Sequence, residues 1–203
     1  MIKVLFSTTD YLDDDYLYEK EFAEVSAYRK KRIEETKSKE DKKRMLAAEG
    51  LLKRGLQEAG INYSGNIVVN EHGKPYLKDE PGIFFSISHS GNRVVCVVAD
   101  SEVGCDVEKS GRCRERIASR YFSEGERLQI AAVEDGESKE LLLTKIWCLK
   151  ESYGKMTGLG LSGSLGRTDF DLSSDSIKGR CDIPADCRVW ENDGYVYAYC
   201  IKE

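Results

Sequence analysis

The sequence is short of what several common chemistries require. It has only two histidines, His72 and His89, and its seven cysteines include no C-x-x-C pair. Neither a zinc site nor a disulfide framework is indicated, and reduced thiols are expected. No apolar run approaches the length of a membrane span, and MIKVLFSTTD at the N-terminus shows no basic leader ahead of a long apolar stretch. A cytoplasmic protein without membrane contact is expected. Positive charge is not in excess: 31 Lys and Arg stand against 36 Asp and Glu, for a net charge of −5. General affinity for nucleic acid grows with the number of phosphates neutralised, so this balance argues against it. No G-x-S-x-G elbow is present and His72 has no identifiable acidic partner, which argues against a serine hydrolase.

What is present reads as an ordinary soluble chain, 33% charged and 40% hydrophobic over 203 residues, enough for one domain or two small ones. Ile2 to Phe6 reads as a strand and Leu17 to Leu56 as helical segments, broken near Lys37 to Lys39 where periodicity is lost. Met45, Leu46, Ala48, Leu52 and Leu56 recur near helical spacing. A strand at Ile67 to Val69 precedes a tight turn at His72-Gly73-Lys74-Pro75, and Phe84 to His89 with Val94 to Ala99 reads as a hairpin. Val103 to Glu108 is a further strand. Short helices follow at Arg116 to Tyr121 and Glu124 to Val133, a longer one at Ser138 to Met156, and a hairpin at Cys187 to Trp190 and Tyr195 to Ile201 around Asn192-Asp193-Gly194. The order strand, helices, strands occurs twice, which predicts two similar α+β halves, 1–101 and 102–203, with Val103 opening the second.

Three features carry chemistry. In Gly104-Cys105-Asp106-Val107-Glu108, strand alternation puts both carboxylates on one face. A solvated strand face is one reading. The other is a hard divalent cation, because Mg²⁺ is commonly held by one or two carboxylates with substrate phosphate and water completing its shell. Trp147, Glu151 and Lys155 follow at i, i+4 spacing with Lys150 beside them, and Thr157-Gly158-Leu159-Gly160-Leu161 ends that helix in a glycine-rich turn. The basic run from Arg29 to Arg54 is either a solvated helix face, balanced by Glu34, Glu35, Glu40 and Asp41, or an anion site.

Taken together, these segments resemble the surfactin-type (Sfp-type) phosphopantetheinyl transferases. Gly104-Cys105-Asp106-Val107-Glu108 looks like their G-x-D-x-E motif, and Trp147 to Lys155 looks like W-x-x-K-E-x-x-x-K. Gly73-Lys74-Pro75, Phe85-Ser86-Ile87-Ser88-His89-Ser90-Gly91 and Tyr121-Phe122-Ser123-Glu124-Gly125-Glu126 extend the resemblance from Arg29 to Leu161. It departs from the family at Cys105 and Val107, where larger aliphatics are usual, and at Gly154, a poor helix residue just before Lys155.

The resemblance implies two α+β halves related by pseudo-twofold symmetry, with the active site in the cleft between them. It implies an enzyme that moves 4′-phosphopantetheine from coenzyme A to a serine of an apo acyl or peptidyl carrier protein and releases 3′,5′-ADP, and two similar halves in one chain make a monomer the expectation. Asp106, Glu108 and Glu151 would hold Mg²⁺, with Mn²⁺ as a substitute. Glu151 would be the general base, with Glu126 as the alternative, and Lys155 would stabilise the departing phosphate. Arg29, Arg32, Arg44, Lys74, Ser88 and His89 would bind the adenosine and 3′-phosphate end of coenzyme A, and Lys150 would join Lys155 at the cofactor. A noncatalytic module of the same fold, docking carrier or coenzyme A without transfer, is the competing expectation.

Overall fold

The computed structural model describes residues 1–111, 115–160, 168–174 and 177–203. Leu161, at the end of the glycine-rich turn, lies outside them. The chain forms two compact units, Met1–Ser101 and Glu102–Glu203, and both are of the α+β class.

In the first unit, β1 (Ile2–Thr8) leads through a 3-10 turn at Asp10–Asp13 to α1 (Asp15–Glu24), α2 (Ala27–Glu35) and α3 (Lys39–Glu58). The short strands β2 (Ile67–Val69) and β3 (Pro75–Leu77) come next, then the hairpin β4 (Phe84–Ser90) and β5 (Arg93–Ala99). The main sheet runs β1-β5-β4, antiparallel throughout. Its central strand is β-branched and apolar and is buried from Val94 to Ala99. Helix α3 lays its periodic stripe, Leu46, Leu52 and Leu56, against Leu5, Val94, Cys96 and Val98. Gly55 allows that approach, since a Cβ there would stand 2.9 Å from both Leu5 Cδ1 and Val98 Cγ2. The helical run breaks a second time at Ser26, which caps α2 by accepting from the Arg29 amide. Sequence periodicity does not register a break this short. The turn expected at residues 72–75 also proves to be the bend of a small β2–β3 hairpin.

In the second unit, β6 (Val103–Lys109) is followed by α4 (Glu115–Tyr121), α5 (Glu124–Ala131) and α6 (Gly136–Thr157). Then come β7 (Thr168–Asp171), β8 (Lys178–Cys181), β9 (Ala185–Asn192) and β10 (Tyr195–Lys202). The sheet runs β6-β10-β9 and is again antiparallel. Asp193 at φ 50° and Gly194 at φ 70° make the tight β9–β10 turn that matches strand twist. Helix α6 packs Cys148, Leu149, Tyr153 and Met156 onto Val196, Ala198 and Cys200 of β10. It ends at Gly158 in the left-handed conformation, φ 71°. The pair β7–β8 consists of two four-residue strands and was not among the strands expected from the sequence.

Candidate active site

The acidic strand and the long helix meet because of one missing side chain. A Cβ on Gly104 would lie 2.0 Å from the Ser152 carbonyl oxygen and 2.3 Å from the Met156 amide nitrogen. Only glycine lets β6 touch the α6 backbone. Asp106 and Glu108 share the Gly104 face by strand alternation, so they flank the contact. Across β10 they are paired with Ala198 and Val196.

Lys155, one turn beyond Glu151, turns back over this strand. Its ammonium donates to Asp106 Oδ1 at 2.7 Å and to the Cys105 carbonyl at 3.1 Å. The Asp106 side chain is 6% exposed and that of Lys155 32%. Burial alone would lower the Lys155 pKa, but the Asp106 charge and its hydrogen bond outweigh this and hold the ammonium above its usual range. Half-buried Glu151 has a raised pKa, first because burial disfavours its charge and then because Asp106 and Glu108 repel it, with Lys155 partly offsetting both. The Cys148 thiol is pushed up by burial and by the same two carboxylates, and it donates to the Val196 carbonyl at 3.6 Å. Cys148 is therefore an inert thiol.

The donor set is all carboxylate oxygen, and Glu151 feels the charge of both strand carboxylates. This is crowding that a cation relieves, so in donor chemistry the residues fit a hard divalent ion. Among the described residues, however, no group of three acidic, histidine or cysteine side chains is gathered closely enough to be a formed metal site. In this structure Asp106 is paired with the Lys155 ammonium.

Two of the expected residues are paired with each other. The Lys150 side chain is 4% exposed and turns inward, to Glu126 Oε2 at 2.9 Å and to Thr168 Oγ1 and carbonyl at 3.0 and 3.1 Å. Glu126, the alternative base, is wholly buried. It accepts from Lys150 and from the amides of Ser123 at 2.8 Å and Phe170 at 3.0 Å. The Glu126–Lys150 pair ties α5, α6 and β7 together. A signal for this was present in the sequence: Ser123-Glu124-Gly125-Glu126 has the S-x-x-E form of a capping box, and the structure contains that box. Asp169, which accepts from Ser123 Oγ at 2.6 Å, had no such signal.

In the first unit, Arg29 donates its Nε to Glu49 at 3.2 Å, a carboxylate with no exposure, which also receives the Ser26 amide at 2.5 Å and hydroxyl at 3.1 Å. Arg29 is thus partly committed to the α2–α3 junction. Arg32 is exposed and donates to the Tyr28 hydroxyl at 3.0 Å. Arg44 pairs with Asp41 and donates to the Gly91 carbonyl at 2.9 Å, clasping the β4–β5 turn just after Ser88 and His89. His89 is exposed and Ser88 is buried. The Lys74 ammonium lies 5.5 Å from the centre of the Tyr76 ring. No helix among the described residues is long and apolar enough to cross a membrane.

Comparison with known proteins agrees with the motif reading. The model of the 4'-phosphopantetheinyl transferase superfamily matches residues 102–200. A 4'-phosphopantetheinyl transferase of Bacillus subtilis is 34% identical over 159 residues, covering 75% of this chain and 69% of that protein. The 4'-phosphopantetheinyl transferase Sfp of Bacillus subtilis strain 168 is 32% identical over 176 residues, 80% of this chain and 75% of its own. AcpT of Escherichia coli K12, also a 4'-phosphopantetheinyl transferase, is 32% identical over 145 residues, 70% and 71% of the two chains. The G-x-D-x-E strand and the W-x-x-K-E-x-x-x-K helix fall inside the matched region and meet at Gly104. On these grounds the chain belongs to the 4'-phosphopantetheinyl transferase superfamily.

Proposed function

We propose that the protein transfers 4′-phosphopantetheine from coenzyme A to a serine of an apo acyl or peptidyl carrier protein, with release of 3′,5′-ADP, in the cytoplasm and as a monomer. The observation that carries this reading is the junction at Gly104, where Asp106 and Glu108 of one strand share their electrostatics with Glu151 and Lys155 of one helix. Phosphoryl transfer depends chiefly on positioning and on stabilising charge at phosphate oxygens. Mg²⁺ held by Asp106, Glu108 and Glu151 would supply that stabilisation at the pyrophosphate. Lys155 is a mobile ammonium close to the same carboxylates, suited to a leaving phosphate. Glu151 is half-buried with a raised pKa, so it accepts a proton more readily than an ordinary carboxylate, as a base facing the carrier serine must. Arg29, Arg32, Lys74, Ser88 and His89 are the candidates for the adenosine and 3′-phosphate end, with Lys150 beside Lys155. Arg44 would act there by holding the turn that follows His89.

The test incubates the protein with coenzyme A, Mg²⁺ and an apo carrier protein, then weighs the carrier. Transfer adds the mass of one phosphopantetheine. Cleavage of coenzyme A without carrier gain would replace this reading with hydrolysis, and binding with neither change would leave a noncatalytic module.

A further inference from the structure

Three cysteines gather on the inner side of the second unit. Cys187 of β9 and Cys200 of β10 are opposed in the strand register, and both pack in the core beneath α6 with Cys181 of β8. The Cys187 and Cys200 sulfur atoms stand 2.7 Å apart. Directly opposed antiparallel residues keep their Cα atoms roughly 4.5–5.5 Å apart, inside the span of a disulfide. Access is unequal: Cys200 is fully buried, whereas Cys187 is half-buried and lines a cavity of about 740 Å³. Leu141 and Leu172 give that cavity an apolar wall, and Lys145, Asp186 and Arg188 line it with charged groups, Arg188 Nε lying 3.8 Å from Asp186 Oδ1. The cavity gives a small oxidant a way to the Cys187 sulfur.

We propose that Cys187 and Cys200 form a site of reversible covalent modification, closing to an intramolecular disulfide across the β9–β10 hairpin by exchange with a low-molecular-weight disulfide of the glutathione type. The Cys187 thiol loses its proton to solvent, and the thiolate attacks one sulfur of the oxidant, whose S–S bond breaks to release one thiolate. Cys200 then gives up its proton and attacks the Cys187 sulfur, expelling the second thiolate. Two protein thiols are oxidised to one disulfide, and one external disulfide is reduced to two thiols. Burial pushes the Cys200 thiol up, which makes the second step the slow one. Cys181 is opposed in the strand register to Thr168 and not to either of these cysteines, and it takes no part. The modification also reaches α6. Reduced Cys200 donates its S–H to the Leu149 carbonyl at 3.7 Å, two residues before Glu151, and a disulfide has no proton to give.

The experiment incubates the whole folded protein with oxidised glutathione, counts thiols in denaturant and maps cross-linked peptides without reductant. Two of the seven thiols should disappear, one peptide pair should join Cys187 to Cys200, and reduced glutathione should reverse both changes. Cys181→Ser should oxidise in the same way, and Cys187→Ser should keep all its remaining thiols. Retention of all seven, a bridge to Cys181, or a lasting mixed disulfide on Cys187 would overturn the proposal. None of these readouts depends on transferase activity, so failure here is distinct from failure of the proposed function.

Discussion

Gly104 and Ser152 touch at backbone distance: a methyl group on the glycine would sit 2.0 Å from the serine carbonyl oxygen. The obstacle is main chain, so no rotamer change relieves it. Gly104→Ala should therefore push α6 off β6, lowering stability by about 1–3 kcal/mol or more and carrying Glu151 and Lys155 away from Asp106. Gly55→Ala is the internal comparison, because its new Cβ would meet only side-chain atoms of Leu5 and Val98, at 2.9 Å. Urea unfolding of both variants checks this. Equal losses would show that the β6–α6 contact yields more easily than its geometry implies.

Glu151 is held at a cost. Its folded pKa is raised above the ordinary 4.5 by burial and by the charges of Asp106 and Glu108. A carboxyl with a raised folded pKa adds stability at low pH and loses that contribution as pH rises through the folded value. At neutral pH Glu151→Gln should melt higher than wild type. The gap should close as pH falls below the raised pKa toward 4.5, where both side chains are neutral. The same variant should lose transfer. Melting curves from pH 4 to 8 test the sign, and a variant that melts lower at pH 7 would contradict it.

The Glu126–Lys150 pair is buried on both sides. Removing one partner strands the other charge, so Glu126→Gln or Lys150→Met alone should destabilise by about 3–5 kcal/mol. The double variant should recover much of that loss, because two neutral groups need no counter-charge. If Glu126 were instead the base, Glu126→Gln would abolish transfer with little change in stability, and the double variant would rescue nothing. Denaturant midpoints and carrier modification, measured on all three proteins, separate the two roles.

Arg29 and Arg32 sit one turn apart on α2 but should respond differently. Arg29→Ala leaves Glu49 buried, still accepting from Ser26 but without its Arg29 partner, so a stability loss of about 1–3 kcal/mol is expected. Arg32 is exposed, and its loss should move stability by less than about 0.5 kcal/mol while raising KM for coenzyme A. An unchanged KM in Arg32→Ala would remove that residue from the cofactor site.

Much of the helix and strand pattern was legible because it rests on local periodicity: the apolar stripe of α3, the hairpin of β4 and β5, and the Asn192-Asp193-Gly194 turn each follow from neighbouring residues. The strands β7 and β8 were not legible, because each is only four residues long and is defined by pairing with the other.

By itself the sequence determined the spacing of Asp106, Glu108, Glu151 and Lys155, and with it the family, since residue type and interval along a strand or helix are properties of the chain alone. Direction was decided only by the tertiary structure. Adjacent residues on a helix diverge by about 100°, so Lys150 turns into the interior while Glu151 is left half-buried. Where each charge then settles depends on partners such as Glu126, Thr168 and Glu49, which lie far away in the chain and come near only when the core has formed.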